Sequence, residues 1–304
     1  MGTIFSITLY APDADAATAA AEAAFRRVAK LDRMMTDYDT NSELMQLCLR
    51  PVGKPTRVSP ELFEILQESQ RVAQETDGAF DITVGPLVRA WRAARKSKVL
   101  PTEQEIAEMR KSIGWQKLRL DARKQTVTLL APHMQLDLGG IAKGYAADQA
   151  LAVMRRMGIT RALVAASGDI AIGDAPPGRT GWKVGIEQLG GAPGELARSI
   201  FLHNAGISTS GGTEQYVEIN GVRYSHIIDP ATGLGMTNRI QTTVIGPNAT
   251  ITDGLDTPTA ILGVDRAMAL IDSQPKLAAL IVQRDEAGNH VYLSKQFIRR
   301  FGEE

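Results

Sequence analysis

The 304-residue chain contains one cysteine, Cys48. That excludes an intramolecular disulfide and any thiolate metal cluster. So few cysteines suit the cytosol and a disulfide-free periplasmic protein alike. Neither sign of charge is in excess, with Lys plus Arg and Asp plus Glu at 34 each. Without a positive surplus the chain lacks the electrostatic footprint of a polyanion binder, so no nucleic-acid partner is expected. No apolar run approaches the roughly 18 residues of a membrane span. No basic, then apolar, then small-residue leader precedes the strand-like "TIFSITLY", so no targeting segment is read in this chain. Internal repeats, low-complexity tracts and Pro-rich linkers are also missing, which leaves no visible boundary between domains.

What remains is ordinary for a globular protein: 44% hydrophobic and 22% charged residues, in a chain long enough to bury a sizeable core. "TIFSITLY" reads as an opening strand, and alanines at helical spacing predict a helix from about Asp13 to Met35. "VSPELFEILQESQRVAQETDG" predicts a second helix, with Ser59 as N-cap, Pro60 in the first turn and Gly78 as the stop. Thr102 with Glu105 forms a capping box before a third. "KLRLDARKQTVTLLAP" reads as two strands with a turn near residues 122–125, and "QYVEINGVRYSHI" as a hairpin turning at Asn220-Gly221. "MQLDL" reads as a strand leading into a helix from about Ile141 to Met157, and "RALVAASGDIAIG" as one buried strand. Strands and helices mix without strict alternation. The expectation is an α+β fold, a mixed, largely antiparallel sheet with flanking helices, in a single domain over 1–304.

Three polar clusters can carry chemistry. In "LDLGGIAKGYAADQA", Asp137 closes a strand and Gly139 and Gly140 open a helix that carries Lys143 in its first turn. Free N–H groups and the positive end of the helix dipole suit a phosphate or carboxylate there; a tight turn with a solvated lysine explains the same residues. The spacing is not that of a phosphate-binding P-loop. In "YSHIIDPATG", His226 leaves a strand near Asp229, which can orient it as a general base; a half-buried histidine at a hairpin end is the alternative. In "TDGLDTPTAILG", Asp253, Asp256 and Thr257 share one face of a helix. Their donors are all oxygen, which suits Mg²⁺ and not zinc; Asp253 as a helix cap would use the same spacing.

Together these stretches resemble the FAD:protein FMN transferase (ApbE-like) family. "MGTIFSITLY", "MTDYDTNSEL", "DGAFDITVGPLVRAW", "LDLGGIAKGYAAD", "SGD", "TSGG", "YSHIIDPATG" and "DGLDT" follow one another in the family's order over nearly the whole chain. Cys48 stands where the family usually has an asparagine. The resemblance implies an ApbE-like fold and an enzyme that binds FAD with Mg²⁺ and transfers its FMN part to a Ser or Thr hydroxyl of an acceptor protein, releasing AMP. It implies metal ligation by the Gly140 carbonyl, Asp253 and Thr257, with Asp256 as a further ligand. Met1, Tyr38, Ala79, Phe80, Asp81, Asp137, Lys143 and Ile228 match flavin- or adenine-contacting positions, and His226 matches the base. The acceptor would carry an Asp-Gly-x-Ser/Thr-Gly-Ala-Ser/Thr-like segment, as in membrane-associated redox proteins, with the enzyme periplasmic or membrane-attached. A Mg²⁺-dependent FAD pyrophosphatase and a non-catalytic flavin-binding protein are the alternatives.

Overall fold

The computed structural model describes residues 2–192, 194–211 and 216–302. In chain order the elements are β1 (Phe5–Leu9), α1 (Ala14–Met35), α2 (Glu43–Cys48), β2 (Thr56–Arg57), α3 (Pro60–Glu75), α4 (Gly85–Ser97), α5 (Glu103–Arg110), β3 (Leu118–Asp121) and β4 (Thr126–Leu129). There follow α6 (Ala142–Arg156), β5 (Ala162–Ala166), β6 (Asp169–Ile172), β7 (Trp182–Glu187), β8 (Leu196–Leu202), β9 (Ala205–Gly211), β10 (Tyr216–Ile219) and β11 (Val222–Ser225). The chain ends with β12 (Arg239–Gly246), α7 (Ala249–Leu262), α8 (Val264–Asp272), β13 (Ala278–Asp285), β14 (Gly288–Leu293) and α9 (Lys295–Phe301). These gather into two compact units, the first from Met1–Asp32, Ile141–Thr213 and Arg239–Glu304, the second from Arg33–Gly140 and Glu214–Asn238.

Unit 1 is built on a seven-stranded sheet of order β1-β5-β6-β9-β12-β13-β14, antiparallel at every pairing. One core packs Ala20, Ala24 and Val28 of α1 and Ala147, Ala150, Leu151 and Met154 of α6 against Val164 and Ala171 of the sheet. Alanine at these positions keeps the helices close to the strands. A second core joins the β7–β8 hairpin, through Trp182, Val184, Ile186, Ile200 and Leu202, to Ile207, Leu280 and Phe297. Each fully buried Leu or Ile of this kind contributes about 1.5–3 kcal/mol of transfer free energy. Unit 2 holds helices α2 to α5, the three-stranded sheet β2-β4-β3 and the hairpin β10-β11. Its core sets Leu87, Trp91 and Ala94 of α4 beside Ile106, Val217, Ile219 and Ile228.

The α+β reading and the largely antiparallel sheet hold, and so do the local signals. Ser59 caps α3, the Thr102–Glu105 box opens α5, and the β10–β11 turn sets Asn220 and Gly221 at φ 53° and 76°. Two expectations differ. "RALVAASGDIAIG" is two strands, because Ser167 (φ 59°) and Gly168 make a two-residue turn that pairs Ala166 with Asp169. The apolar residues on both sides hid the Ser-Gly turn signal. "MQLDL" joins no named strand: Gln135 makes one isolated bridge to Val84, and the Asp137 N–H donates to the Ile82 carbonyl at 2.8 Å.

Candidate active site

In unit 1, α6 and α7 cross closely because residue 144 is glycine. A Cβ there would stand 2.1 Å from the Ala249 carbonyl oxygen and 2.8 Å from the Asp253 Cβ. The N-cap residue Ile141 offers α6 no side-chain cap; the Gly144 N–H instead donates to Asp253 Oδ2 of α7 at 2.8 Å. A carboxylate at a helix N-terminus meets both a free donor and the favourable end of the dipole. The capping is reciprocal. Asp148 of α6 accepts the N–H groups of Ala249 and Thr250 at 3.0 and 2.8 Å and the Thr250 hydroxyl at 2.6 Å, at the start of α7. Asn248 supplies the local cap through Ile251.

This pairing fixes the acidic face of α7. Asp253 and Asp256 are 1% and 2% exposed, and Asp169, leaving the Ser167-Gly168 turn on β6, is 2% exposed. One carboxylate oxygen from each of the three lies within 4.8 Å of the others. The Lys143 ammonium bonds Asp169 Oδ2, and donates to Asp253 Oδ1 at 3.1 Å. The Thr257 hydroxyl donates to Asp256 Oδ1 at 3.1 Å and lies 3.3 Å from the Ser210 hydroxyl. Burial, then the Asp253 charge, pushes Asp169 up to about 7. Burial, then Asp169 and Asp253, pushes Asp256 well above the ordinary carboxylate range. Burial works against the Lys143 charge, but Asp253, Asp169 and Asp256 outweigh it and raise its pKa. Packed carboxylates that resist ionising together are what a divalent ion relieves. The donors are all oxygen, and Asp169 Oδ1 accepts no hydrogen bond among the described residues. The cluster therefore fits Mg²⁺.

Unit 2 carries its own polar group. Arg92 of α4 pairs with Asp37, donates to Asp137 Oδ2 at 3.2 Å, and stacks 4.3 Å from the centroid of the Tyr38 ring. Tyr38 is otherwise open, at 74% exposure. Asp137 Oδ1 accepts the Gly139 N–H at 2.7 Å, and burial, then the Asp37 charge, raises its carboxyl. Among the described residues, a Cβ at Gly140 would meet only Phe80, at 3.4 Å, an ordinary contact. Packing therefore does not require glycine at 140. Phe80 and Ile228 are buried; Ala79 lies in the turn after α3, its N–H donating to the Thr76 carbonyl. Asp81 accepts the Thr83 N–H and hydroxyl and the Trp115 N–H at 2.7–2.9 Å, and burial raises its carboxyl. Cys48 Sγ accepts the Leu136 N–H at 3.4 Å. His226 stands exposed in the bend after β11. Asp229 Oδ1 accepts the Ala231 N–H at 2.8 Å, shaping the turn that follows. Met1 and Gly212–Gln215, within the "TSGGTEQY" loop, lie outside the described residues.

The helical face of Asp253, Asp256 and Thr257 forms as the spacing predicts. In the sequence Asp169 and Asp148 stand only as the last residues of "SGD" and "LDLGGIAKGYAAD", and Arg92 lies just past "DGAFDITVGPLVRAW". Asp169 had one available signal, a Ser-Gly-Asp turn inside an apolar run.

The fold is α+β around an antiparallel sheet, and it sets beside a helix start an all-oxygen acidic cluster that could hold a metal ion. The chain belongs to the ApbE family, whose model matches residues 1–281. It is 31% identical to the FAD:protein FMN transferase of Klebsiella pneumoniae (strain 342), over 98% of this chain and 86% of that one. It is 30% identical to the FAD:protein FMN transferase of Escherichia coli (strain K12), with the same coverage. Among solved structures it is similar to the flavin transferase ApbE from Vibrio cholerae, with TM-score 0.86, 28% identity and coverage of 99% and 96%. The apo form of the Pseudomonas stutzeri flavinyl transferase ApbE gives TM-score 0.88 at 26% identity, with coverage of 100% and 95%.

Proposed function

We propose that this chain is an FAD:protein FMN transferase that moves the FMN part of FAD onto a Ser or Thr hydroxyl of an acceptor protein. The observation that carries the reading is likeness, over nearly the full length of both chains, to proteins that bear this name. Asp253, Asp256 and Thr257 are the side chains that would hold Mg²⁺, with the Gly140 carbonyl as the ligand that the resemblance adds. Bound there, the ion would neutralise diphosphate charge and the charge developing on the leaving phosphate. Tyr38, Ala79, Phe80, Asp81, Asp137, Ile228 and Met1 are assigned to flavin and adenine contacts. Lys143 is assigned to the same ligand as a point charge.

The reaction is a displacement at the FMN-side phosphorus. The acceptor oxygen bonds to that phosphorus, its bond to the bridging oxygen breaks, and AMP leaves with that oxygen. The hydroxyl proton passes to a ring nitrogen of His226, a role worth about 10²–10⁴-fold in rate; Asp229 orients the segment that carries the ring. The acceptor is of the Asp-Gly-x-Ser/Thr-Gly-Ala-Ser/Thr type, in a membrane-associated redox protein, and the enzyme acts in the periplasm or attached to a membrane. Among the described residues, no helix is long and apolar enough to cross a membrane. The test is AMP release from FAD and Mg²⁺ with and without an acceptor domain. Transfer predicts release that depends on the acceptor. Equal release without it marks an FAD pyrophosphatase, and no release in either case marks a flavin-binding protein.

A further inference from the structure

Three carboxylates in the unit 1 cluster share one ammonium, and that ammonium is the least buried member. The Lys143 side chain is 28% exposed, while those of Asp169 and Asp253 are 3% and 1%. The acids are fixed to the fold: Asp253 by the Gly144 N–H, Asp256 by α7, and Asp169 by its place beside the Ser167-Gly168 turn. Lysine instead reaches in on a flexible four-carbon stem from the first turn of α6. Asp169 meets it through Oδ2 and keeps a second oxygen, buried, that accepts no hydrogen bond among the described residues. A buried acceptor left in that condition is costly unless another group uses it. A cation between the acids would do so, and Lys143 already bonds two of the three carboxylates that would surround it.

We propose that Lys143 is a displaceable counter-ion, holding the place of a divalent cation among Asp169, Asp253 and Asp256, and that Asp169 is a ligand of the ion that replaces it. The inference rests on the metal assignment above but not on flavin transfer. Three carboxylates and one ammonium leave the pocket short of positive charge, and a hard divalent ion with oxygen preference supplies it. The ammonium and the ion compete for the same carboxylates, and two cations side by side repel, so arrival of the ion releases the lysine head toward the solvent-exposed side. Once there it can meet an anionic ligand. The lysine thus serves first as a guard on the acids and then as a contact.

The test uses Mn²⁺ alone, titrated calorimetrically at pH 8 into the full chain stripped with EDTA, with no FAD and no acceptor. Lys143→Met removes the competitor, so Mn²⁺ is expected to bind at least about tenfold more tightly than to wild type, because the binding-competent fraction rises. Asp169→Asn removes a ligand and is expected to weaken binding at least about tenfold. Unchanged or weaker Mn²⁺ binding by Lys143→Met overturns the placeholder role; unchanged binding by Asp169→Asn overturns the ligand role. Should either variant fail to fold, the wild type carries the test. Amine acetylation of Lys143, read by peptide mass spectrometry, should rise on adding Mn²⁺ to EDTA-stripped protein, and a fall or no change overturns the proposal. Flavin transfer is assayed separately, so its failure with the Mn²⁺ results as expected would strike the proposed function and leave this inference standing.

Discussion

Gly144→Ala sets two effects of opposite sign against each other. On helix propensity alone, alanine in the first turn of α6 should stabilise the helix, by at most about 1 kcal/mol. The structure predicts the reverse. The added Cβ would stand 2.1 Å from the Ala249 carbonyl oxygen and 2.8 Å from the Asp253 Cβ, and neither is the end of a flexible side chain. Relief requires α6 and α7 to separate by about 1 Å, an overpacking cost of about 1–3 kcal/mol. The same movement stretches the Gly144 N–H bond to Asp253, now 2.8 Å, and a bond to a charged acceptor is worth about 1.5–3 kcal/mol. The net loss is roughly 2–5 kcal/mol, an estimated fall in melting temperature of about 4–10 °C at about 2 °C per kcal/mol for a chain of this size. Calorimetric unfolding with and without Mg²⁺ reads it, and the Mg²⁺-induced rise should shrink because Asp253 has been moved. A Tm equal to or above wild type would refute the reasoning, since propensity would then have decided the outcome.

Asp148→Ala should cost roughly 1–3 kcal/mol, because it strips two N–H groups and a hydroxyl of their acceptor at the start of α7; Asp148→Asn should recover part of that in the same melt. His226→Ala is expected to slow FMN transfer about 10²–10⁴-fold while FAD binding, followed by flavin fluorescence, stays near wild type. Arg92→Met frees Tyr38 and leaves Asp137 and Asp37 without their shared cation; FAD affinity should fall about tenfold, the loss of one charge-assisted bond, with a smaller change in turnover. In EDTA, Asp169 holds its proton up to about pH 7 in the fold but only to about 3.9 unfolded. Stability of the EDTA-treated protein should therefore decline as pH rises from about 4 to 7, because the folded chain binds the extra proton. Lys143, Asp253 and Asp256 face the same group, and Asp169→Asn should flatten that slope in melts taken across the range.

Where the physical cause is local, it was legible in the chain. Asn220-Gly221 announces its turn because both positions need positive φ, and Thr102 with Glu105 announces α5 because they satisfy each other's donors. The acidic face of α7 follows from helical spacing alone. The partners of that face do not. Asp169 and Lys143 reach Asp253 from other elements, and Asp148 caps a helix start 102 residues away. Gly139 and Gly140 are the unusual residues at a helix start in the sequence, yet in this stretch it is Gly144 that packing requires to be glycine, a role that appears only when α7 is beside it. Arg92 reads in sequence as one basic residue among several on α4; its link to Tyr38 and Asp137 exists only in the fold.

The most direct measurement of the account is the mass of an acceptor domain after incubation with this protein, FAD and Mg²⁺. The acceptor should gain one FMN as a phosphoester, in step with AMP release, at the Ser or Thr of its Asp-Gly-x-Ser/Thr-Gly-Ala-Ser/Thr segment, and an acceptor with that residue changed to alanine should gain none. An acceptor of unchanged mass while FMN and AMP accumulate freely in solution would contradict it.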